Sequence, residues 1–285
     1  MNNDNIHTFD ELKYFTKLPI IVRSAFCMCD SLRSLTLPDQ ITAIDNYAFS
    51  QCKALSYIQL PKNLKSIGEY AFDQCESLEE LVFPDSVNYI GYSAFKECKN
   101  LRKISLNDSY TTLGHWCFTN CTNLEVVNLG KHIEEINQGA FFECNKLKKL
   151  IIPNTVKSLG IDVLHNCYDV EVIYVGDGVE SVGDYAFFAD NKLKLLSLPS
   201  VKVLKSDKIF GDNDGEKQTI EKVVIRSGDA GIYAFECNFA NVTEKCQFIV
   251  PKGTASTFRA KGYPNVSEEQ GQPIESHNNT IMIFP

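Results

Sequence analysis

The sequence predicts a repeat solenoid, mostly β, in which about nine short units stack along one axis. A phenylalanine column shows the period, because it recurs every 23 residues at Phe26, Phe49, Phe72, Phe95, Phe118 and Phe141 and continues in phase at Leu164, Phe187 and Phe210. A cysteine column has the same period, at Cys29, Cys52, Cys75, Cys98, Cys121, Cys144 and Cys167. Each unit also contains a pair of apolar residues separated by one polar residue, the alternation of a strand with one buried face. Columns that stay in phase this long predict one structural unit for every 23 residues.

Each unit is predicted to contain a strand, a return strand and a turn. The segment Leu55-x-x-Ile58-x-Leu60 has the strand pattern of a leucine-rich repeat, and Pro61 ends it because proline cannot donate to a ladder. We therefore expect parallel strands that form a single concave sheet, near 33–37, 56–60, 79–83, 102–106, 125–129, 148–152, 171–175, 194–198 and 221–225.

The rest of the unit is predicted to close the coil behind that sheet. Leu64 and Ile67 return apolar side chains to the core on a short return strand. Gly68 then suits a tight turn, and an Ala-Phe pair follows on a short helical or 3-10 turn. The fold class is thus an α/β repeat solenoid whose β content dominates.

The repeat resembles that of the BspA-like leucine-rich-repeat proteins over residues 24 to about 250. The shared string is Ala48-Phe49-x-x-Cys52-x-x-Leu55-x-x-Ile58-x-Leu60-Pro61-x-x-Leu64-x-x-Ile67-Gly68. The resemblance implies a horseshoe with an N-terminal cap in residues 1–23, a solenoid in 24–250 that is irregular after 199, a C-terminal cap in 251–264 and a tail in 265–285. It also implies an adhesion protein that lies at the surface of a host-associated bacterium and binds a protein or glycan partner.

Composition narrows the function classes. The net charge of −8 and the absence of a basic cluster disfavour nucleic-acid binding. No apolar run approaches the 18 residues or so that a membrane span needs. The residues from Met1 to Asp10 lack a secretory pattern, so we expect either an intracellular protein or one whose signal was removed before the numbering begins.

No constellation for catalysis or metal binding is visible, so we expect neither an enzyme nor a cofactor. The column cysteines are predicted to be buried, reduced thiols, while Cys237 and Cys246 have a smaller chance of pairing. The sequence contains no C-x-x-C pair, which disfavours a zinc site. The loop Asp212–Gly215 has weak calcium-loop character and is better explained as an insertion.

Function is expected on the outward positions of the concave sheet. One outward column alternates in charge through Glu79, Arg102, Glu125, Lys148, Glu171, Lys194 and Glu221, which predicts a ladder that fixes strand register. A second set predicts an apolar binding patch with Lys149 and Lys194 at its rim, formed by Val126, Ile151, Val172, Tyr174 and Leu195. Strand propensity alone is the other explanation of that patch. A structural or self-assembling surface protein is the alternative to a binding module.

Overall fold

The computed structural model describes residues 6–106, 108, 111–188, 192–199, 209–210, 219–226, 242–269, 276–277 and 280–281. Nine short strands fall inside the nine predicted ranges, and we call them the face strands. They are Ser34–Thr36, Tyr57–Gln59, Glu80–Val82, Lys103–Ser105, Val126–Asn128, Lys149–Ile151, Val172–Tyr174, Leu195–Leu198 and Lys222–Ile225. All their pairings are parallel. The predicted solenoid fold is confirmed.

Eight two-residue return strands form one continuous parallel sheet on the other side of the core. They are Ile20–Ile21, Ala43–Ile44, Ser66–Ile67, Tyr89–Ile90, Thr112–Leu113, Glu135–Ile136, Ser158–Leu159 and Ser181–Val182. Their second residue points inward and is buried, whereas the first is at least partly exposed. The alternation of side chains along a strand therefore gives each unit a second apolar wall.

The face strands do not form the single sheet that the sequence predicts. Their hydrogen-bonded ladder is divided into blocks of two, three and four face strands, with breaks after Tyr57–Gln59 and after Val126–Asn128. The last block gains two further strands, Gln247–Val250 and Val266–Glu268. Backbone bonds at the corners and in the return sheet cross both breaks, as Phe49 N–H to the Ala71 carbonyl does at 2.7 Å. The solenoid is therefore continuous although this ladder is not.

The corner of each unit is a pair of turns rather than the predicted helical or 3-10 turn. Two residues of every regular corner have positive φ, as Tyr70 (54°) and Gln74 (57°) do on either side of Ala71 and Phe72. A helix cannot pass through a left-handed residue, so the chain turns twice instead. Phe72 and Gln74 donate their N–H groups to carbonyls of the next unit, which ties neighbouring corners together.

The core is a stack of phenylalanine rings that runs along the solenoid. Adjacent rings from Phe26 to Phe141 lie nearly parallel, with centroids 5.0 to 5.8 Å apart. The glycine column is explained by close approach between units rather than by turn conformation. A Cβ on Gly91 would lie 2.7 Å from the carbonyl carbon of Gly68, closer than real contacts allow.

The two ends of the solenoid are closed differently. At the N-terminal end, a 3-10 helix at Asp10–Tyr14 buries Leu12, and Phe9 packs edge-on against Phe26. At the C-terminal end, an α-helix at Ala255–Ala260 buries Phe258. A separate antiparallel pair joins Ser276–His277 to Thr280–Ile281. The domain limits expected from the sequence stay a prediction.

Candidate binding surface on the face strands

The predicted site residues lie on the outward side of consecutive face strands, as expected from the alternation of side chains. Lys149 is in register with Val172 and Leu195, and Ile151 is in register with Tyr174. Lys194 immediately precedes the strand that contains Leu195. The structure thus brings these positions together on neighbouring units.

Their exposure differs from the prediction. Val126, Lys149 and Lys194 are exposed, and Ile151 and Val172 are half-buried. Tyr174 and Leu195, however, are only 3% and 5% exposed. The prediction that Tyr174 and Leu195 are exposed anchors of a binding patch is therefore wrong, and the patch shrinks to its N-terminal members.

Arg226 accounts for the burial of Tyr174. Its guanidinium carbon lies 4.1 Å from the centre of the Tyr174 ring, a cation–π contact. The same group donates to the Ser197 hydroxyl at 2.6 Å, to Asp177 Oδ1 at 2.7 Å and to the Val175 carbonyl. Arg226 itself is only 4% exposed. One side chain thus links three units and covers the tyrosine.

The burial of Leu195 has a related cause. All four residues of its strand, Leu195–Leu198, are buried, so this strand has core on both of its faces. Val224, on the outward side of the next strand, is buried as well. The outward side chains of the face strands therefore become buried towards the C-terminal end.

The sequence contained a signal for Arg226. The third position after the central buried residue of a face strand is proline in several units, as Pro61 after Ile58 and Pro84 after Leu81 show. Arg226 occupies the same position after Val223. A long cation in the place of a strand-ending proline marks a residue that reaches back over the preceding units.

The charge column pairs only in part. Lys194 Nζ lies 2.9 Å from Glu171 Oε2, as the alternation predicts. Lys148 instead lies 2.9 Å from Asp169, which a second lysine, Lys192, also contacts at 2.6 Å. Hydrogen bonds from these two lysines lower the pKa of Asp169. The alternation therefore gives the ion pair Glu171–Lys194 among the described residues, while Lys148 contacts Asp169 outside the column. That the column fixes strand register stays a prediction.

A surface that the sequence predicts only at Val126 and Lys149 lies nearer the N-terminal end. Tyr57 and Val82, on consecutive face strands, are 55% and 69% exposed, and Val126 is 41% exposed. Charged side chains lie between them in the same outward columns. We call this surface the open face, and it consists of Tyr57, Glu80, Val82, Lys103, Val126 and Lys149.

The charged groups of the open face have no intramolecular role in the described residues. No hydrogen bond or ion pair of the Glu80, Lys103 or Lys149 side chain is found there, in contrast to Lys194 and Lys148 on the later units. This surface therefore combines exposed apolar side chains with uncommitted charges of both signs, by which we mean charged groups without a hydrogen bond or ion pair among the described residues. A protein surface with that mixture can contribute both apolar contacts and directional polar ones.

The cysteine column serves the core rather than chemistry. All seven column cysteines are buried, as predicted, and six donate their Sγ–H to the phenylalanine carbonyl of the preceding unit. Cys52 Sγ, for example, lies 2.9 Å from the Phe26 carbonyl oxygen. Burial raises the pKa of the Cys52 thiol to about 12. A thiol that stays protonated is a poor nucleophile and a poor metal ligand.

The remaining chemical candidates are few. Within the described ranges, no three His, Cys, Asp or Glu side chains are grouped closely enough to hold a metal ion. The loop Asp212–Gly215 and Cys237 lie outside the described residues. Cys246 is buried, and burial raises the pKa of its thiol to about 12.

Comparison with known families decides the identity of the repeat. A sequence profile described as BspA type Leucine rich repeat region matches residues 4–125 and 65–194, with six copies of the repeat. These matches cover more than half of the chain. The chain belongs to the BspA-type leucine-rich-repeat family.

Solved structures share the fold of this BspA-type protein. A leucine-rich repeat protein from Bacteroides ovatus is similar with a TM-score of 0.66 and 24% identity, over 88% of this chain and 63% of that one. A leucine rich cell surface protein from Faecalibacterium prausnitzii is similar with a TM-score of 0.52 and 19% identity, over 90% of this chain and 87% of that one. At this level of identity the likeness shows the fold alone.

Three further findings concern coverage, curated relatives and membrane spans. This BspA-type chain spans about 63% of the length of the Bacteroides ovatus protein. No curated protein matched its sequence. Among the described residues, no helix has the length and apolar character needed to cross a membrane.

Proposed function

We propose that this protein is a non-enzymatic binding module that recognises a protein partner through the open face. The observation that carries the proposal is the combination of Tyr57, Val82 and Val126, all strongly exposed, with the uncommitted charges of Glu80, Lys103 and Lys149. Exposed apolar side chains grouped on one surface mark interaction sites. Charges of both signs among them favour a protein partner, because protein surfaces offer complementary pairs.

A location at the cell surface and a role in adhesion belong to the same proposal. The Faecalibacterium prausnitzii relative is described as a leucine rich cell surface protein. BspA-type repeats form the bulk of this chain. A stack of repeats offers an extended surface outside the core, which suits attachment to a large partner.

Site-specific photocrosslinking tests the location of the binding surface. A photoreactive phenylalanine analogue replaces Tyr57 in one protein and Val82 in another, and each is exposed to surface proteins of candidate partner cells. The matched control has the analogue at Tyr89, which is also exposed but lies in a return strand. We expect one shared adduct at Tyr57 and Val82. An adduct formed only from position 89 would show that another surface binds.

Affinity measurements with the crosslinked partner then test the energetics. Tyr57→Ala is expected to weaken binding by about fivefold or more, because aromatic anchors carry a large share of interface energy. Glu80→Ala is expected to act mainly through association rate and salt dependence. Equal affinity of Tyr57→Ala and the unchanged protein would contradict the proposal.

Self-association is the second candidate function, and a specific observation favours it. Large apolar side chains are exposed in and before the first unit, namely Tyr14, Phe15, Ile20 and Val22. Terminal units of solenoids usually present a polar outer surface. Sedimentation equilibrium of the protein and of Val22→Lys decides between the candidates. A dimer that Val22→Lys dissociates supports self-association, and a monomer at all concentrations rejects it.

A further inference from the structure

A second cluster of aromatic side chains lies on a different side of the solenoid, at the corners that follow the return strands. Five rings from four consecutive units are in contact there, and each is half-buried. We call them the aromatic ridge, and they are Trp116, Phe142, His165, Tyr185 and Phe188. None belongs to the phenylalanine core or to the open face.

Four of the five ring contacts of the ridge are edge to face, and the fifth, between His165 and Tyr185, is nearly parallel at 18° with the ring centroids 6.1 Å apart. Trp116 and Phe142 are inclined at 70°, Phe142 and His165 at 61°, and His165 and Phe188 at 85°. At equivalent corners nearer the N-terminal end, Tyr47 and Tyr70 stack at 8°, so each ring covers a face of its neighbour. Edge-to-face contacts leave ring faces uncovered by the neighbouring ring. The edge-to-face contacts of the ridge therefore leave aromatic faces free of a stacked neighbour, whereas Tyr47 and Tyr70 cover each other's faces.

Gly139 makes room for the largest of these rings. A Cβ at this position would lie 2.0 Å from Cε3 of Trp116, so the indole occupies the space that a side chain would take. The equivalent corner position is a side chain in other units, as Tyr70 and Asp162 show. The glycine thus lets Trp116 lie over the next unit, where its ring meets Phe142.

The electrostatics of the ridge exclude an anionic ligand. The four corners, residues 114–122, 137–145, 160–168 and 183–188, contain three carboxylates and no lysine or arginine. Asp162 Oδ1 is 2.7 Å from His165 Nδ1. No partner of Asp162 Oδ2 is found in the part of the chain that the structure describes, so this oxygen is available as a hydrogen-bond acceptor beside the rings.

We propose that the aromatic ridge is a binding site for a neutral glycan chain. A sugar ring has an apolar C–H face that packs on an aromatic face and hydroxyl groups that donate to carboxylates, and the ridge offers both. The units repeat every 4.8 Å or so, which is close to the length of one sugar in a linear chain. Successive sugars therefore contact successive units. Single-stranded nucleic acid, the other polymer that stacks on aromatic rings, needs cations that the ridge lacks.

The test uses the fact that Trp116 is the single tryptophan of the chain. Cellohexaose, maltohexaose, mannohexaose and N-acetylchitohexaose are titrated separately into the protein while tryptophan emission is recorded. We expect a saturable change with at least one of them, with a Kd of about 1 mM or tighter. Because the ligand is uncharged, the titration is expected to be the same at low and high salt.

Variants separate the ridge from other surfaces. Phe142→Ala and Asp162→Asn are each expected to weaken glycan binding by about tenfold or more. Tyr70→Ala, from the stacked corner, and Val82→Ala, from the open face, are expected to leave it unchanged. Thermal unfolding confirms that each variant is folded, and the near-isosteric Asp162→Asn keeps the test valid if Phe142→Ala is not.

Three results would overturn the proposal. The first is an absence of any emission change and of any calorimetric signal with all four hexasaccharides. The second is binding that Phe142→Ala and Asp162→Asn leave intact. The third is a protein partner whose binding is lost in these variants while no glycan binds, because the ridge would then be a protein interface. The open-face proposal is unaffected by the first two results, since its own tests use Tyr57 and Val82.

Discussion

The regular units and the C-terminal units of this solenoid are held together in different ways. From Phe26 to Val182 the same contacts recur in nearly every unit: a stacked ring, a thiol that donates to the preceding carbonyl, and a glycine in close approach. Among the described residues after Leu195 the contacts are individual ones, such as the Arg226 guanidinium on Tyr174. Contacts of the first kind recur in neighbouring units, whereas a contact of the second kind is specific to one place in the chain.

The comparison also explains where ligands have access. In the regular units the inward columns satisfy the core, and outward side chains such as Tyr57 and Val82 stay exposed. In the C-terminal units both faces of the strand Leu195–Leu198 are buried. The same strand geometry therefore serves as a surface in one region and as core in the other.

The largest effect is expected from the phenylalanine stack of the regular units. Phe95 is fully buried and stacks on Phe72 and Phe118. Phe95→Ala should lower the free energy of unfolding by about 3–5 kcal/mol, because a cavity opens and two ring contacts are lost. Denaturant unfolding measures the change.

Leucine provides the matched control for this position. Leu164 occupies the same column and is fully buried, so the core already accommodates leucine there. Phe95→Leu should cost less than about 1.5 kcal/mol, as for other swaps that nearly conserve volume. An unchanged unfolding curve for Phe95→Ala would mean that the stack does not stabilise the regular units.

Arg226→Ala tests the C-terminal units. It removes four polar contacts and the cover of Tyr174, and a cost of about 2–3 kcal/mol is expected. Asp177 remains solvated when Arg226 is absent, since its side chain is mostly exposed, so the full penalty of an unpaired buried charge does not arise. Thermal unfolding of Arg226→Ala and of Arg226→Met, which keeps part of the contact with the ring, gives the measurement.

The outcome shows whether the Arg226 contact stabilises the C-terminal units, a role that we call a fastening contact. Arg226→Met should lie between Arg226→Ala and the unchanged protein. If both variants melt like the unchanged protein, the C-terminal units do not depend on this contact. Tyr174→Ala should also lower the melting temperature, because Tyr174 is a buried residue and not a surface anchor.

Asp73→Asn tests a buried and incompletely hydrogen-bonded carboxyl in the regular units. The Asp73 carboxyl is buried in a corner, its Oδ1 has no hydrogen-bond partner, and burial raises its pKa to about 6. The folded pKa lies above the unfolded value near 3.9, so stability falls as pH rises between about 4 and 6. At pH 7, Asp73→Asn should therefore stabilise the protein by about 2 kcal/mol, with little change at pH 4.

Asp169→Asn is the control of opposite sign. Its pKa is lowered by hydrogen bonds from Lys192 and Lys148, so its contribution to stability is present at neutral pH and is lost as pH falls. Unfolding of both variants between about pH 2.5 and 7 makes the comparison, because the contribution of Asp169 is lost only below about pH 4. A destabilised Asp73→Asn at pH 7 would mean that the carboxylate is satisfied in its corner.

The inward half of this structure was predictable from the sequence. Core positions must be apolar in every unit. The columns that contain Phe72, Cys75 and Ile67 therefore reveal the repeat period and identify the side chains that point inward. The face strands accordingly fall within the predicted ranges. Corner geometry was not predictable, because Tyr70 and Gln74 adopt positive φ, which their residue types rarely do.

The outward half depends on contacts that a repeat pattern does not contain. Tyr174 and Val82 occupy the same column, yet one is buried and the other exposed, because only Tyr174 lies under Arg226. The aromatic ridge likewise joins residues from different columns, such as Trp116 and Phe142. Alignment of columns therefore finds the core and misses the sites.

The smallest effect is expected at the junction between the two regions, where Lys194 pairs with Glu171 at 2.9 Å. The side chains of Lys194 and Glu171 are 54% and 40% exposed, so solvent and salt screen the pair. Lys194→Ala should lower the melting temperature by under about 1 °C, and the difference should vanish at high salt. Lys149→Ala, whose lysine has no ion pair in the described residues, is the control and should have no effect at either salt concentration.

Because the Lys194 hydrogen bond lowers the pKa of Glu171, that pKa should rise in Lys194→Ala when it is followed by NMR titration. A large loss of stability in Lys194→Ala would make this pair a fastening contact like Arg226 and would move the boundary between the two regions one unit towards the N-terminus.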